Sequence, residues 1–238
     1  MVDHVRSPVL IELCLLLRDF LADTDQVDHL ADVDLYRHVT FAASLRHSGR
    51  EFTARPAPEI EDMAAAVLRR VSTGPLGDAA LRSPQSRFAD DAAPRAISLV
   101  DGTAADDKPG GALWTSSFLP DGTSTWQWGE WAEFGHDRQL FTVTFDPAAV
   151  RVFTIGSPAD YERLVNHYPR SVNGSTRVHW AQAAEDIDAV HLTVSGLLTA
   201  QYVPVVAPCG AAVLTGWDAE STAWLHLPPG LGMVPVGL

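Results

Sequence analysis

A change of pattern at residue 112 constrains the fold of this chain more than any other feature. From there onwards, short runs that alternate in polarity or are rich in β-branched residues are separated by turn residues, as is typical of strands. Seven such runs predict strands at residues 112–118, 140–145, 150–155, 189–194, 202–206, 211–214 and 221–227. Short connections between so many short strands favour a mostly antiparallel arrangement.

Two helical patterns lie in the first third of the chain, and two more interrupt the strands of its second half. Ser7 followed by Pro8 is a typical helix start, and apolar residues then recur at helical spacing, which predicts a helix over residues 8–23. Further helices are predicted at 60–71, 157–168 and 179–186, and a strand is predicted at 35–45. Helices early and strands late favour the α+β class over a repeated βαβ series.

We predict a single domain spanning residues 1–238. Residues 1–34 hold eight acids and two bases, so the N-terminal segment (1–30) is predicted to form an acidic, solvated helical layer. Residues 72–110 are rich in Gly and Pro dipeptides and are predicted to be a loop-rich insertion with one short strand at 96–100.

The charge balance bears on the choice of partners. Thirty acids against seventeen Lys plus Arg give a net charge of −13. Because phosphate-tracking surfaces depend on clustered Lys and Arg, a broad nucleic-acid surface is not expected.

Cysteine usage and the N-terminal pattern predict a cytoplasmic protein. Only Cys14 and Cys209 occur, so neither a disulfide framework nor a cysteine metal site is indicated, and the scattered histidines predict no metal site. The apolar run 8–17 is interrupted by Glu12 and lacks a basic leader, which favours a core helix over a signal peptide or membrane span. Delivery into another cell stays open.

Three separated segments carry the candidate chemistry: Leu35-Tyr36-Arg37, the segment Leu-Trp-Thr-Ser-Ser at 113–117, and Glu220 at the start of the last predicted strand. In this order they resemble the Arg, Ser-Thr-Ser and Glu elements of the toxin-type ADP-ribosyltransferase superfamily. The resemblance implies a split β-sandwich core with an N-terminal helical layer. It also implies that NAD is the substrate and that no metal takes part.

The resemblance assigns a role to each segment. Arg37 would hold the NAD diphosphate or ribose, Thr115 and Ser116 would shape the nicotinamide end, and Glu220 would be the catalytic acid. A carboxylate beside the ribose stabilises an oxocarbenium-like state, an Arg fork binds phosphate, and small hydroxyl side chains orient the carboxylate. Departing nicotinamide would stack on an aromatic side chain, for which the candidates are Tyr36, Trp114, Trp126, Trp128 and Trp131.

Three further residues are secondary candidates. Asp218, two residues before Glu220, is a further catalytic candidate, since members of the family that modify arginine usually carry Glu at this position; alternatively it is a turn residue. His191, on the predicted strand 189–194, is either part of the NAD site or a hydrogen-bonded core residue. Glu130, in the tryptophan-rich segment, is expected to face solvent.

Several functions remain open on the sequence alone. The leading prediction is transfer of ADP-ribose from NAD to an unidentified protein, nucleic acid or small molecule, or to water as in a NAD glycohydrolase. The alternative is a non-catalytic acidic binding or immunity-type module that docks a basic partner protein. A glycoside-processing enzyme using Glu220 with Asp218 or Glu130 is weaker, because acids two residues apart on a strand point the same way.

Overall fold

A computed structural model describes residues 7–44, 60–77, 79–94, 96–101 and 107–237, and they adopt an α+β fold. The α-helices are α1 (Pro8–Phe20), α2 (Asp32–Ser44), α3 (Glu61–Thr73), α4 (Gln127–Phe134), α5 (Pro158–His167), α6 (Trp180–Asp186) and α7 (Val194–Thr199). Short 3₁₀ helices span Thr24–His29, Pro75–Gly77 and Pro147–Ala149.

The strands build two larger sheets and two small hairpins. They are β1 (Gln85–Ala89), β2 (Leu113–Thr115), β3 (Gln139–Thr144), β4 (Val152–Ile155), β5 (Pro169–Val172), β6 (Ser175–Val178), β7 (Ala189–Leu192), β8 (Pro204–Val205), β9 (Ala212–Val213), β10 (Ser221–Trp224) and β11 (Gly232–Pro235). One sheet has the order β2-β10-β7-β4 and the other β1-β3-β11, while β5-β6 and β8-β9 are separate pairs.

Pairing within the sheets is antiparallel except for the parallel pair of β4 and β7. The two larger sheets meet where Ser86 of β1 forms an isolated bridge with Ser116, just past β2. The expected mostly antiparallel α+β architecture is therefore confirmed for the described residues.

The four-stranded sheet has two different faces. Val190, Leu192 and Ala223 belong to the main core, which they share with buried side chains of α1, α2, α3 and α7. Residues that alternate with them along the strands, including Ala189 and Trp224, pack in a smaller cluster with Phe145. This second face also carries the buried polar side chains of the candidate site.

The predicted strand at 35–45 is wrong, because residues 32–44 form helix α2 and residue 45 lies outside the described residues. Buried side chains recur there with helical spacing, at Leu35, Tyr36, Val39, Thr40 and Ala43. That spacing places them on one face of a helix, which packs against α1. The β-branched and aromatic residues of this segment suggested a strand, but burial of this face decides in favour of a helix.

The loop-rich segment also differs from expectation. Residues 96–100 contain no strand beyond a single bridge between Val100 and Gly110, whereas the unpredicted strand β1 lies at Gln85–Ala89. Helices α2, α4 and α7, the β5-β6 hairpin and β11 are likewise additions to the predicted elements. No helix in the described parts of the chain has both the length and the apolar character needed to cross a membrane.

Candidate functional site

Glu220 lies at the junction of two paired strands. Strand β10 pairs with β2 in the register Thr222 to Thr115, so Glu220, two residues before Thr222, falls opposite Ser117. The Ser117 amide donates to Glu220 Oε2 at 3.0 Å, and the Ser117 hydroxyl donates to Oε1 at 2.9 Å. Thr125 completes the set, since its hydroxyl donates to Oε2 at 2.6 Å.

These three donors hold the carboxylate of Glu220, whose side chain is 5 % exposed. A buried carboxylate requires hydrogen bonds or a counter-charge to offset its lost hydration. Here, the amide of Ser117 and the hydroxyls of Ser117 and Thr125 supply such hydrogen bonds. The arrangement therefore fixes the Glu220 side chain in one orientation.

Tyr36 connects this junction to helix α2. The backbone N–H of Glu220 donates to the Tyr36 hydroxyl oxygen at 2.9 Å. Burial, followed by the charge of Glu220, raises the pKa of Tyr36 well above its usual value, so the phenol stays protonated. Tyr36 thus supports the backbone at the catalytic candidate instead of stacking at an open surface.

His191 lies beside Glu220 on the neighbouring strand β7, opposite Thr222. Its Nδ1 atom is 2.9 Å from the Thr222 hydroxyl and 3.6 Å from Glu220 Oε1. Burial lowers the pKa of His191, while the charge of Glu220 acts in the opposite direction. A neutral imidazole therefore lies next to the carboxylate.

Thr115 and Ser116 point away from each other, as successive strand residues do. Thr115 lies in the buried polar face, where it donates to Gln85 Oε1 and accepts from Trp224 Nε1. Ser116 faces a separate group of hydroxyls, 2.8 Å from Ser86 and 3.2 Å from Ser124.

The hydroxyls of Ser117 and Thr125 donate to the Glu220 carboxylate, and neither residue was among the predicted site residues. A signal for Ser117 was present in the alternation of the strand, which places it on the same face as Thr115. Thr125 carried no comparable signal, because its position depends on the turn at residues 120–123 that returns the chain to β2.

A cleft of about 1130 Å³ opens beside this junction. Its walls come from α1, α2, α4, β1 and the segment that precedes β10. The lining aromatic side chains are Phe20, Phe41, Phe88, Trp114, Trp126, Trp128, Phe134 and Trp217, and the lining cations are Arg37, Arg87, Lys108 and Arg138.

Tryptophans form the wall nearest to β2 and β10. The rings of Trp114 and Trp217 meet edge to face with centroids 4.9 Å apart, and Trp126 meets Trp114 at 6.2 Å. Gly216, with a φ of 83°, provides the left-handed turn that leads into Trp217. Aromatic faces at this position suit a flat ring.

The predicted site residues divide between the cleft and the interior beneath it. Arg37, Trp114 and Asp218 line the cleft, and Arg37 is exposed. Buried below are the remaining predicted residues: Tyr36, Thr115, Ser116, His191 and Glu220. The two groups adjoin through the backbone, since Ala219 and Ser221, the neighbours of Glu220, also line the cleft.

Two charged residues, Arg87 and Glu130, differ from what the sequence predicted. Arg87 on β1 lines the cleft, and its Nη1 donates to the carbonyl oxygen of Trp114 at 2.8 Å. It was missed because β1 was predicted to be loop. The expectation that Glu130 faces solvent is wrong, because Glu130 is 1 % exposed and forms a two-point ion pair with Arg138.

In the described parts of the chain, no group of three or more His, Cys, Asp or Glu side chains is placed to hold a metal ion. Comparison of the chain with protein-family models, with curated proteins and with solved structures found no match.

Proposed function

We propose that this protein is an NAD-dependent ADP-ribosyltransferase, which cleaves the bond between nicotinamide and ribose and transfers ADP-ribose to an acceptor. The observation that carries the proposal is the oriented carboxylate of Glu220. It is held by Ser117 and Thr125 at the ends of two paired strands, beside an aromatic cleft that contains Arg37.

The proposed reaction uses the negative charge of Glu220. As the bond from ribose C1′ to nicotinamide breaks, the bonding pair leaves with the nicotinamide, and positive charge develops on the ribose. A fixed carboxylate beside the ribose stabilises that charge, because its orientation requires no reorganisation during the reaction. The acceptor then bonds to C1′ and loses a proton.

The cleft provides features that suit the rest of the substrate. Its volume of about 1130 Å³ lies just above the range of about 300–1,000 Å³ that is typical of small-molecule sites. Arg37, which is exposed in the cleft, offers a guanidinium group for a diphosphate. Trp114 and Trp126, which are half-buried in the cleft wall, offer ring faces for nicotinamide. Because the Glu220 side chain is 5 % exposed and lies behind Ala219 and Ser221 of the cleft wall, the reaction requires this part of the wall to move when NAD binds.

The test is incubation of the purified protein with NAD labelled in the adenosine part, with and without cell lysate. Nicotinamide release and the molecules that carry ADP-ribose are followed by mass analysis. Labelled acceptor indicates a transferase, whereas free ADP-ribose alone indicates a glycohydrolase. Failure to release nicotinamide under both conditions would refute the proposal and favour the acidic binding module.

Glu220→Gln is expected to lower nicotinamide release by about 100-fold or more, as removal of a charge-stabilising group commonly does. Glu185→Gln changes an exposed carboxylate on α6 and serves as the matched control. Turnover of Glu220→Gln equal to that of the control, in a protein that unfolds at the same temperature, would contradict the role of Glu220.

A further inference from the structure

A continuous chain of hydrogen bonds runs through the buried polar face from Trp224 to His191. Trp224 Nε1 donates to Thr115 Oγ1 at 2.8 Å, and Thr115 in turn bonds Gln85 Oε1. Gln85 Nε2 donates to Thr222 Oγ1 at 3.0 Å, and Thr222 Oγ1 is 2.9 Å from His191 Nδ1. The chain ends beside the carboxylate of Glu220.

The indole at the start gives this chain a direction. An indole N–H can only donate, so Thr115 accepts from Trp224. The remaining bonding partner of the Thr115 hydroxyl among the described residues is Gln85, so the hydroxyl hydrogen goes to Gln85. This orients the Gln85 amide with its oxygen towards Thr115 and its NH₂ group towards Thr222.

The same reasoning applies to the second half. Thr222 accepts from Gln85, and the remaining bonding partner of its hydroxyl among the described residues is His191 Nδ1. The buried hydroxyl hydrogen therefore goes to Nδ1, since it would otherwise have no acceptor there. An Nδ1 atom that accepts a hydrogen bond carries no proton, so a neutral imidazole holds its proton on Nε2. The Nδ1 to Glu220 Oε1 distance of 3.6 Å is too long for a hydrogen bond and agrees with this assignment.

We infer that Gln85 and Thr222 are positioning residues that hold His191 as its Nε2–H tautomer and thereby leave the Glu220 carboxylate without a hydrogen bond from this histidine. A proton on Nδ1 would face Glu220 Oε1 and, as a hydrogen-bond donor, would weaken the stabilisation that the carboxylate can give to a positive charge nearby. The consequence for catalysis rests on the proposed function, whereas the tautomer does not.

Nitrogen-15 NMR of the histidine side chains tests the tautomer directly. In the wild-type protein near neutral pH, His191 is expected to show an unprotonated Nδ1 and a protonated Nε2. Its signals are assigned by their loss in His191→Asn. A protonated Nδ1 in the wild-type spectrum would overturn the inference, whatever the variants show.

Thr222→Val removes the hydroxyl that donates to Nδ1. We expect His191 in this variant to shift its proton to Nδ1 and to bond Glu220, while Thr222→Ser, which keeps the hydroxyl, retains the wild-type tautomer. An unchanged tautomer in a folded Thr222→Val protein would also overturn the inference.

Activity separates this inference from the proposed function. If the wild-type protein releases nicotinamide, Thr222→Val is expected to lower the rate about tenfold relative to Thr222→Ser. If the wild type releases none, the proposed function fails, while the NMR result still decides the tautomer. An equal rate in the two variants, despite a shifted tautomer, would refute the effect on Glu220.

Discussion

We expect Asp107 to make this protein less stable as the pH rises, which is the reverse of the effect of a carboxylate whose pKa is lowered by folding. Its side chain is buried, accepts from the Tyr161 hydroxyl at 2.6 Å and lies 3.3 Å from the Val178 amide. Its carbonyl accepts from Trp217 Nε1, which connects it to the aromatic wall of the cleft. Burial raises the pKa of Asp107 from 3.8 to about 6, although the Tyr161 hydrogen bond acts in the opposite direction.

The sign of the effect follows from proton binding. The folded state binds the Asp107 proton more tightly than the unfolded chain, so stability decreases as pH rises through the interval between the two pKa values. A difference of about two pKa units corresponds to about 3 kcal/mol. Between pH 4.5 and pH 7, about 2 kcal/mol of this decrease is expected to be measurable.

Asp107→Asn removes the titration and keeps a side-chain oxygen for Tyr161. The assay is urea unfolding of both proteins at several pH values from 4.5 to 7. The free energy of unfolding of the wild type, minus that of the variant, should fall by about 2 kcal/mol as the pH rises. Asp186→Asn makes the same chemical change at an exposed carboxylate bonded to Tyr168, and so reports the effect without burial. A difference that is constant or that rises with pH would refute the reasoning.

Two further predictions concern buried charges at the site. Ser117→Ala removes one donor to Glu220 and is expected to lower the free energy of unfolding by about 1–3 kcal/mol. It is also expected to slow nicotinamide release without abolishing it, because the Ser117 amide and Thr125 still hold the carboxylate. A loss of turnover without any loss of stability would contradict a positioning role for this hydroxyl. Arg138→Met leaves Glu130 buried without its partner, and since the Arg138 side chain is 27 % exposed, we expect a loss of about 2 kcal/mol in urea unfolding. Combining it with Glu130→Met should recover most of that loss, and a double variant less stable than Arg138→Met would show that the ion pair is not the cause.

Much of the β-structure could be predicted from local pattern alone. Strands β2, β4, β7 and β10 lie within predicted runs and β3 begins one residue before its run, because alternation and β-branched content persist where one or both faces are buried. Helices α1 and α5 were predicted from a serine cap followed by proline, a signal that depends on few residues. Such local signals do not depend on partners far along the chain.

Helix α2 shows where local pattern fails. Its sequence contains Val39, Thr40 and Phe41, which favour strands, and the helical spacing of its buried residues becomes decisive only when α1 packs against it. Strand β1 was missed in the prediction for a different reason. It is short, follows a proline, and acquires strand character by pairing with β3.

The candidate site was predicted in part. The sequence singled out Glu220 and a hydroxyl-rich strand, but not the register that brings Ser117, two residues beyond Thr115, opposite the carboxylate. Nor could it show that Glu130, in a tryptophan-rich segment, is buried against Arg138 instead of solvated. The register depends on residues more than a hundred positions apart, as for Ser117 and Glu220, whereas the burial of Glu130 depends on the tertiary packing around a nearby pair.

The sequence by itself determined the α+β composition, the acidic charge and the unusual position of an acid at the start of a buried strand. Only the tertiary structure decided that Arg37 lies on a helix, that Ser117 and Thr125 hold Glu220, and that a directed hydrogen-bond chain ends at His191. The physical reason is that side-chain type and period are local properties, whereas a hydrogen bond in the interior requires two strands to meet in one register.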